Sequence, residues 1–210
     1  MKEKPLRNQA GQTLEEFLAA YHPGDYPHPS VTVDLIVISV DPEPELLLIR
    51  RGNHPHLGEW ALPGGFVEPG EFTEAAAARE LQEETHAEGL NLTSVGFFSG
   101  PDRDPRCWTM SHAFLALTRR SELSLQADDD AADVGWFRLQ YSLFTDHMEL
   151  ILSDKEESLT AKVELKLENT AIGEEWKVSD FTSDGIAFDH AKMIAAAILR
   201  LQQAGRPLQN

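Results

Sequence analysis

A chain of 210 residues with 41% hydrophobic and 25% charged side chains has the balance of a globular domain with a sizeable core and room for additions. Its 35 acids against 18 bases give a formal charge of −17, a surface that repels polyanions and disfavours wholesale nucleic-acid binding unless basic residues are segregated. One cysteine, Cys107, excludes an intrachain disulfide framework, and no apolar run approaches the roughly 20 residues of a membrane span. The opening MKEKPLRNQAGQTLEEF lacks the apolar core of a secretion signal, so the expectation is a soluble, cytoplasmic protein.

Thr13 to Tyr21 reads as a short amphipathic helix capped by Thr13, with Leu14, Phe17 and Leu18 on one side. HPGDYPHPS ends it, closing an N-terminal lead-in of residues 1–30. Val31 to Val40 is β-branched almost throughout and predicts a strand buried on both faces, turned by Asp41–Pro44 into a returning strand, Glu45 to Arg50. Short strands are expected near Trp60 and Phe66, then a helix from about Phe72 onward, capped by Thr73 or Glu71. Strands follow at Leu92–Phe98, Thr109–Leu117 and Val134–Leu139, the last preceded by an acidic loop at Asp128–Asp133. Residues 141–180 alternate in a hairpin pattern and read as a β-rich insertion. Residues 189–203 form a final helix with Asp189 as cap and Met193, Ile194, Ala197, Ile198 and Leu201 as its apolar stripe.

The organising stretch is Gly64 to Ala87, GGFVEPGEFTEAAAARELQEETHA. On a helix, Glu80, Glu83 and Glu84 share one face, where like charges repel unless something positive sits among them. Carboxylate oxygens are hard ligands suited to Mg²⁺ or Mn²⁺; the competing reading is a solvated acidic face. The spacing Gly65, Glu71, Arg79, Glu80, Leu81, Glu83, Glu84 resembles the Nudix hydrolase signature, G-x5-E-x7-R-E-U-x-E-E-x-G-U. His86 stands where that pattern has a helix-ending glycine and Ala87 where it has a larger aliphatic, so Gly89 is the alternative helix exit.

The resemblance implies an α/β/α sandwich with a mixed central sheet over residues 31–210, and metal-dependent hydrolysis of a nucleoside diphosphate joined to another group. It implies Glu80 and Glu84 as principal metal ligands, Glu83 as a further ligand or the base that orients water, and the Gly65 carbonyl as an added donor. Arg79 pairs with Glu71 in this reading, locking loop to helix. Outside the signature, YPHPSVTVD, PDRDPR and IAFDHA resemble the ADP-ribose pyrophosphatase branch, which also contains NrtR regulators. That branch implies ADP-ribose as substrate, AMP and ribose 5-phosphate as products, and a homodimer.

Arg50, Arg51, Arg103 and Arg106 flank the metal helix in sequence order, as phosphate ligands or as structural ion pairs; Arg51, Arg103 and Arg106 are the substrate-binding candidates. Trp60 is a candidate for stacking on a base, or else a wall residue between Gly58 and Pro63. His54, His56 and His112 lack metal-ligand spacing and read as loop or core residues, and Cys107 as a small apolar filler. Asp128, Asp129 and Asp130 supply an additional base or form a solvated run. Two alternatives stand beside the pyrophosphatase: an ADP-ribose-sensing regulator of the NrtR kind and an enzyme that clears damaged nucleoside triphosphates. The hairpin pattern of 141–180 carries no basic stripe, which counts against the regulator.

Overall fold

The computed structural model describes residues 5–86, 89–123, 131–171 and 173–208. One mixed sheet dominates. In chain order its strands are β1 (Ser30–Ser39), β2 (Glu45–Arg51), β3 (Trp60–Ala61), β4 (Gly64–Phe66), β5 (Thr93–Phe98), β6 (Thr109–Thr118), β7 (Ala131–Leu143), β8 (His147–Ser153), β9 (Ser158–Thr170) and β10 (Gly173–Asp184). Spatially they run β10-β9-β8-β7-β2-β1-β6-β5, with β3 and β4 pairing β2 and β1 at one end. Among the described strands only β1 and β6 are parallel neighbours, each with a further strand on its other side, and the burial of β1 from Thr32 through Ser39 fits a strand covered on both faces.

Alternation along β1 sends side chains to two cores. Val33, Leu35 and Val37 face α2 (Thr73–Thr85) with its Ala76, Ala77 and Leu81. Ile36 and Ile38 face α3 (His190–Gln203) on the other side. The result is the expected α/β/α sandwich. The second core is the larger, because β8, β9 and β10 extend the sheet and curl it around α3, adding Met148, Leu150, Leu152, Leu159, Val163 and Leu165. No described helix is long and apolar enough to cross a membrane.

Several local expectations need correction. Residues 141–180 hold more than a hairpin: β7 runs on to Leu143, and β8 to β10 form an antiparallel meander whose last strand reaches Asp184. The helix α1 (Leu14–Ala20) keeps its Thr13–Glu16 capping box, but no residue of it is buried; Leu14, Phe17 and Leu18 are exposed. At α2 the N-cap is Phe72, with no side-chain bond from Thr73 or Glu71; Glu71 is already engaged by Arg79 and the Glu68 N–H. His86, not Gly89, ends α2: it sits at φ 58 and ψ 17, the left-handed position that usually favours glycine. Asp189 is N-cap of α3 by position but makes no side-chain cap bond, because Arg103 holds its carboxylate. Cys107 is exposed and so fills no core gap.

Candidate active site

The candidate site is a cleft of about 480 Å³ at the end of the sheet where β3 and β4 lie. Its floor is the turn Pro63–Gly64–Gly65, pressed flat on β1 by the bonds Leu35 N–H to Pro63 O (2.8 Å) and Val67 N–H to Val31 O (2.9 Å). A Cβ on Gly64 would collide with the Val33 carbonyl, and one on Gly65 with the Glu80 carboxylate. The paired glycines are therefore a packing requirement: they let a backbone turn lie against both a central strand and a charged side chain.

Onto this floor α2 projects its acids. The Glu84 carboxylate is largely buried and accepts from the Gly64 N–H at 2.7 Å. Burial pushes its carboxyl up to about 8; the nearby Glu80 and Asp34 charges push the same way, while the Gly64 N–H and Arg51 oppose them. Burial also raises Glu80, against the pull of Arg79. Glu83 stands more in solvent, its side chain 58% exposed.

Arg79 ties these groups together. Its guanidinium donates to Glu71 (3.0 and 2.9 Å), Glu80 (2.7 Å), Glu83 (3.1 Å) and the Phe66 carbonyl (3.0 Å). The expected Arg79–Glu71 link between loop and helix is thus present, within a wider hub. The Glu71 hydrogen bonds in turn hold that carboxyl below its ordinary range and raise Arg79.

The opposite wall is cationic. Arg51 and Arg106 line the cleft, their guanidinium groups 4.8 and 5.9 Å from the Phe188 ring. Arg51 also donates to the Pro55 carbonyl at 2.8 Å, while Arg106 is clamped by Asp104, with Nη2 to carboxylate at 2.7 Å. Arg103 lines the same cleft but is 5% exposed and engaged twice by Asp189 (3.2 and 2.9 Å), with Asp34 at 3.6 Å. Its first role is therefore structural: it fixes the wall from behind. Trp60 is not part of the cleft. It is 4% exposed, edge-on to Phe137, and its indole N–H donates to Glu157 at 3.0 Å. Arg50 lies with it, paired to Glu157 at 3.1 Å.

Asp34, His190 and Phe188 are the site residues that reading the sequence did not assign. The segment 185–187 is zipped to β3 by Trp60 N–H to Gly185 O (3.0 Å) and Ala187 N–H to Trp60 O (2.8 Å), which delivers Phe188, Asp189 and His190 to the cleft. The Leu62 N–H donates to His190 Nδ1 at 2.9 Å, so the ring proton belongs on Nε2, facing Asp34 at 3.3 Å. Burial alone would raise the Asp34 carboxyl, but the hydrogen bonds of His190 and the Ser111 hydroxyl, with the Arg103 charge, bring it below the usual carboxylate range. The signal lies in VTVD and IAFDHA, where short-range pattern alone gives Asp34 and His190 no chemical role.

The donor set of Gly65, Glu80, Glu83 and Glu84 consists of hard oxygen atoms, and two of its carboxyls are raised by burial, which fits a divalent cation such as Mg²⁺ or Mn²⁺. Among the described residues, no three His, Cys, Asp or Glu side chains already converge on one point, since Arg79 draws Glu80 and Glu83 toward itself. His54 and His56 lie in the loop after β2, and His112 is packed between Phe97 and Phe114. Asp128, Asp129 and Asp130 lie outside the described residues.

The family model for the NUDIX domain matches residues 28–150. An ADP-ribose pyrophosphatase of Methanocaldococcus jannaschii is 41% identical over 128 residues, 60% of this chain and 73% of that protein. An ADPR responsive transcriptional repressor, NtrR, of Acinetobacter baylyi is 42% identical over 49% of this chain and 42% of its own length, so the chain spans well under half of that relative. Among solved structures, a MutT/nudix family protein from Enterococcus faecalis superposes with a TM-score of 0.70 at 32% identity, over 91% of this chain and 70% of that one. The NUDIX domain of Shewanella oneidensis NrtR in complex with ADP ribose gives 0.62 at 25% identity, over 90% and 99%.

Proposed function

The chain belongs to the NUDIX family, and from that premise we propose that it is a divalent-metal-dependent pyrophosphohydrolase that splits ADP-ribose into AMP and ribose 5-phosphate. The observation that carries this reading is a two-sided cleft: crowded carboxylates from α2 line it together with Arg51 and Arg106. A diphosphate meets guanidinium groups on one side and a cation-holding acid cluster on the other. The similarity to an ADP-ribose pyrophosphatase, and to a NUDIX domain bound to ADP ribose, supports the choice of substrate. Residues 31–210 form the catalytic body in this proposal, with 141–180 an elaboration of it.

Glu80, Glu83, Glu84 and the Gly65 carbonyl would hold Mg²⁺ or Mn²⁺, which when bound screens phosphoryl charge and acidifies a water. The chain's own residues do the rest. Arg51 and Arg106 grip the phosphates, and the ring of Phe188 between them offers a flat wall to the ribose or base. Arg79 keeps Glu71, Glu80 and Glu83 in register. Glu83, the most exposed of the three helix acids, serves in this reading as a further ligand or as the base that orients the attacking water and takes its proton. Water adds to one phosphorus as the bridging P–O bond breaks, releasing the two monophosphates.

The test is release of AMP from ADP-ribose with added Mg²⁺ or Mn²⁺, and its loss in Glu83→Gln and Glu84→Gln proteins. Wild-type rates in both variants would sink the assigned roles. A panel including damaged nucleoside triphosphates separates the sanitising alternative. A sensor of the NrtR kind has the repressor relative in its favour. Yet the described residues after β7 are three strands and one helix, with no helix-turn-helix pair among them. Within this proposal the protein is cytoplasmic and pairs as a homodimer through the exposed Leu14, Phe17, Leu18, Tyr21 and Tyr26 of its N-terminal arm. Light scattering that gives a monomer mass would remove the pairing.

A further inference from the structure

Curling the sheet around α3 brings its two terminal strands, β5 and β10, to opposite sides of that helix without joining them. A cleft of about 380 Å³ remains between the two edges. It shares no lining residue with the catalytic cleft; its Asp189 stands in the chain between Phe188 and His190, which line that one.

Its floor is set by the sequence of α3. Nine residues of this helix are buried, and the polar interruption runs along one stripe, Lys192, Ala196, Arg200 and Gln203, at helical spacing. Ala196 is short and deepens the floor between the two cations. On the β10 side, Val178 packs against the core, so Trp176, two residues away, projects to the same side and stands 36% exposed. An indole at a cleft wall offers a flat face for stacking.

The floor is cationic. The acids that line the cleft are Glu175 and Asp189, and both are engaged: Glu175 pairs with Lys177 at 2.9 Å and Asp189 with Arg103 at 2.9 Å. Lys192 and Arg200 form no ion pair among the described residues, although the chain carries 35 acids. In a protein of charge −17, two uncompensated cations about two helical turns apart on one cleft floor mark a local positive field.

We propose that this cleft is a second binding site, for a small organic anion bearing a flat ring, with its acidic group on Lys192 and Arg200 and its ring against Trp176. The chemical class is that of a mononucleotide or a comparably sized aromatic phosphate or carboxylate. Asp189 joins the two clefts: its backbone carbonyl accepts from the Lys192 N–H at 2.9 Å while its carboxylate holds Arg103 at the catalytic wall. An occupant here therefore touches the residue that positions that wall.

The experiment uses AMP as the probe on the full chain. Photolabelling with 8-azido-AMP, followed by peptide mapping, should mark peptides containing 173–178 or 192–203, and excess AMP should suppress that label. The label should vanish in a Lys192→Glu/Arg200→Glu double variant whose circular dichroism and hydrolytic kcat match wild type. Trp176→Ala should weaken AMP binding at this site by about tenfold, the usual scale of a lost ring stack. Label confined to residues of the catalytic cleft, or undiminished in the double variant, would overturn the proposal. Competition by inorganic phosphate as effective as that by AMP would equally overturn it, since the ring would then contribute nothing.

Discussion

The helices α2 and α3 are of similar length and pack on opposite faces of the same sheet, yet they serve it in opposite ways. α2 buries only Ala76, Ala77, Leu81 and Thr85 and gives the rest of its surface to charge. α3 buries nine residues and forms the centre of the larger core. The lesson is a division of labour: one helix carries acids that destabilise one another, and the other supplies the burial that lets the fold tolerate them.

The sharpest break in that contrast is Glu84→Gln. It should lower turnover on the order of a thousandfold while leaving the folded state intact or more stable, because a neutral amide sheds the cost of a buried carboxylate. Activity and Tm measured on the same preparation check this, and a large loss of Tm would show that α2 bears more of the fold than its burial suggests. The mirror experiment is Ile198→Ala in α3. It should cost about 3 kcal/mol of stability from the cavity it opens, with activity per folded molecule retained, as read from urea titration beside active fraction.

A smaller effect is expected where floor meets helix. Gly65→Ala drives a methyl into the Glu80 carboxylate, so activity should fall about a hundredfold with little change in Tm. Arg79→Lys keeps the charge but loses the fork that serves Glu71, Glu80, Glu83 and the Phe66 carbonyl together, and a loss of roughly tenfold or more is expected.

The mildest signature is in pH. The folded Glu84 carboxyl titrates at about 8, above its ordinary value of 4.5, so the folded state holds a proton that the unfolded chain has released. Its contribution is present in full below pH 4.5 and is lost as pH rises toward about 8. In chelator-treated protein Tm should therefore decline across that window, and Glu84→Gln should flatten the slope. A slope unchanged in the variant would place the titration elsewhere.

Reading the chain alone recovers what short-range pattern controls. The two-sided burial of β1, the hairpin into β2, the Thr13 cap of α1 and the apolar stripe of α3 all follow from periodicity and turn residues. What it misses depends on distant partners. Asp189 looks like a helix cap until Arg103 arrives from another loop, and Trp60 looks like a stacking face until Glu157 and Phe137 close over it. His190 and Asp34 lie far apart in sequence, and only the zipping of 185–187 onto β3 makes them neighbours. His86 shows the reverse: the family pattern wants glycine there, and the backbone takes the left-handed turn with a histidine regardless.

The wrapping of β8, β9 and β10 around α3 has a consequence for synthesis. The family match ends at residue 150, but the larger core draws on Leu159, Val163, Leu165 and the whole buried face of α3. A nascent chain leaving the ribosome thus displays the inner surface of its central strands, Ile36 and Ile38 included, with nothing to cover them. That surface stays open to chaperones and to self-association until residues 190–203 emerge and slot into the trough the sheet has prepared.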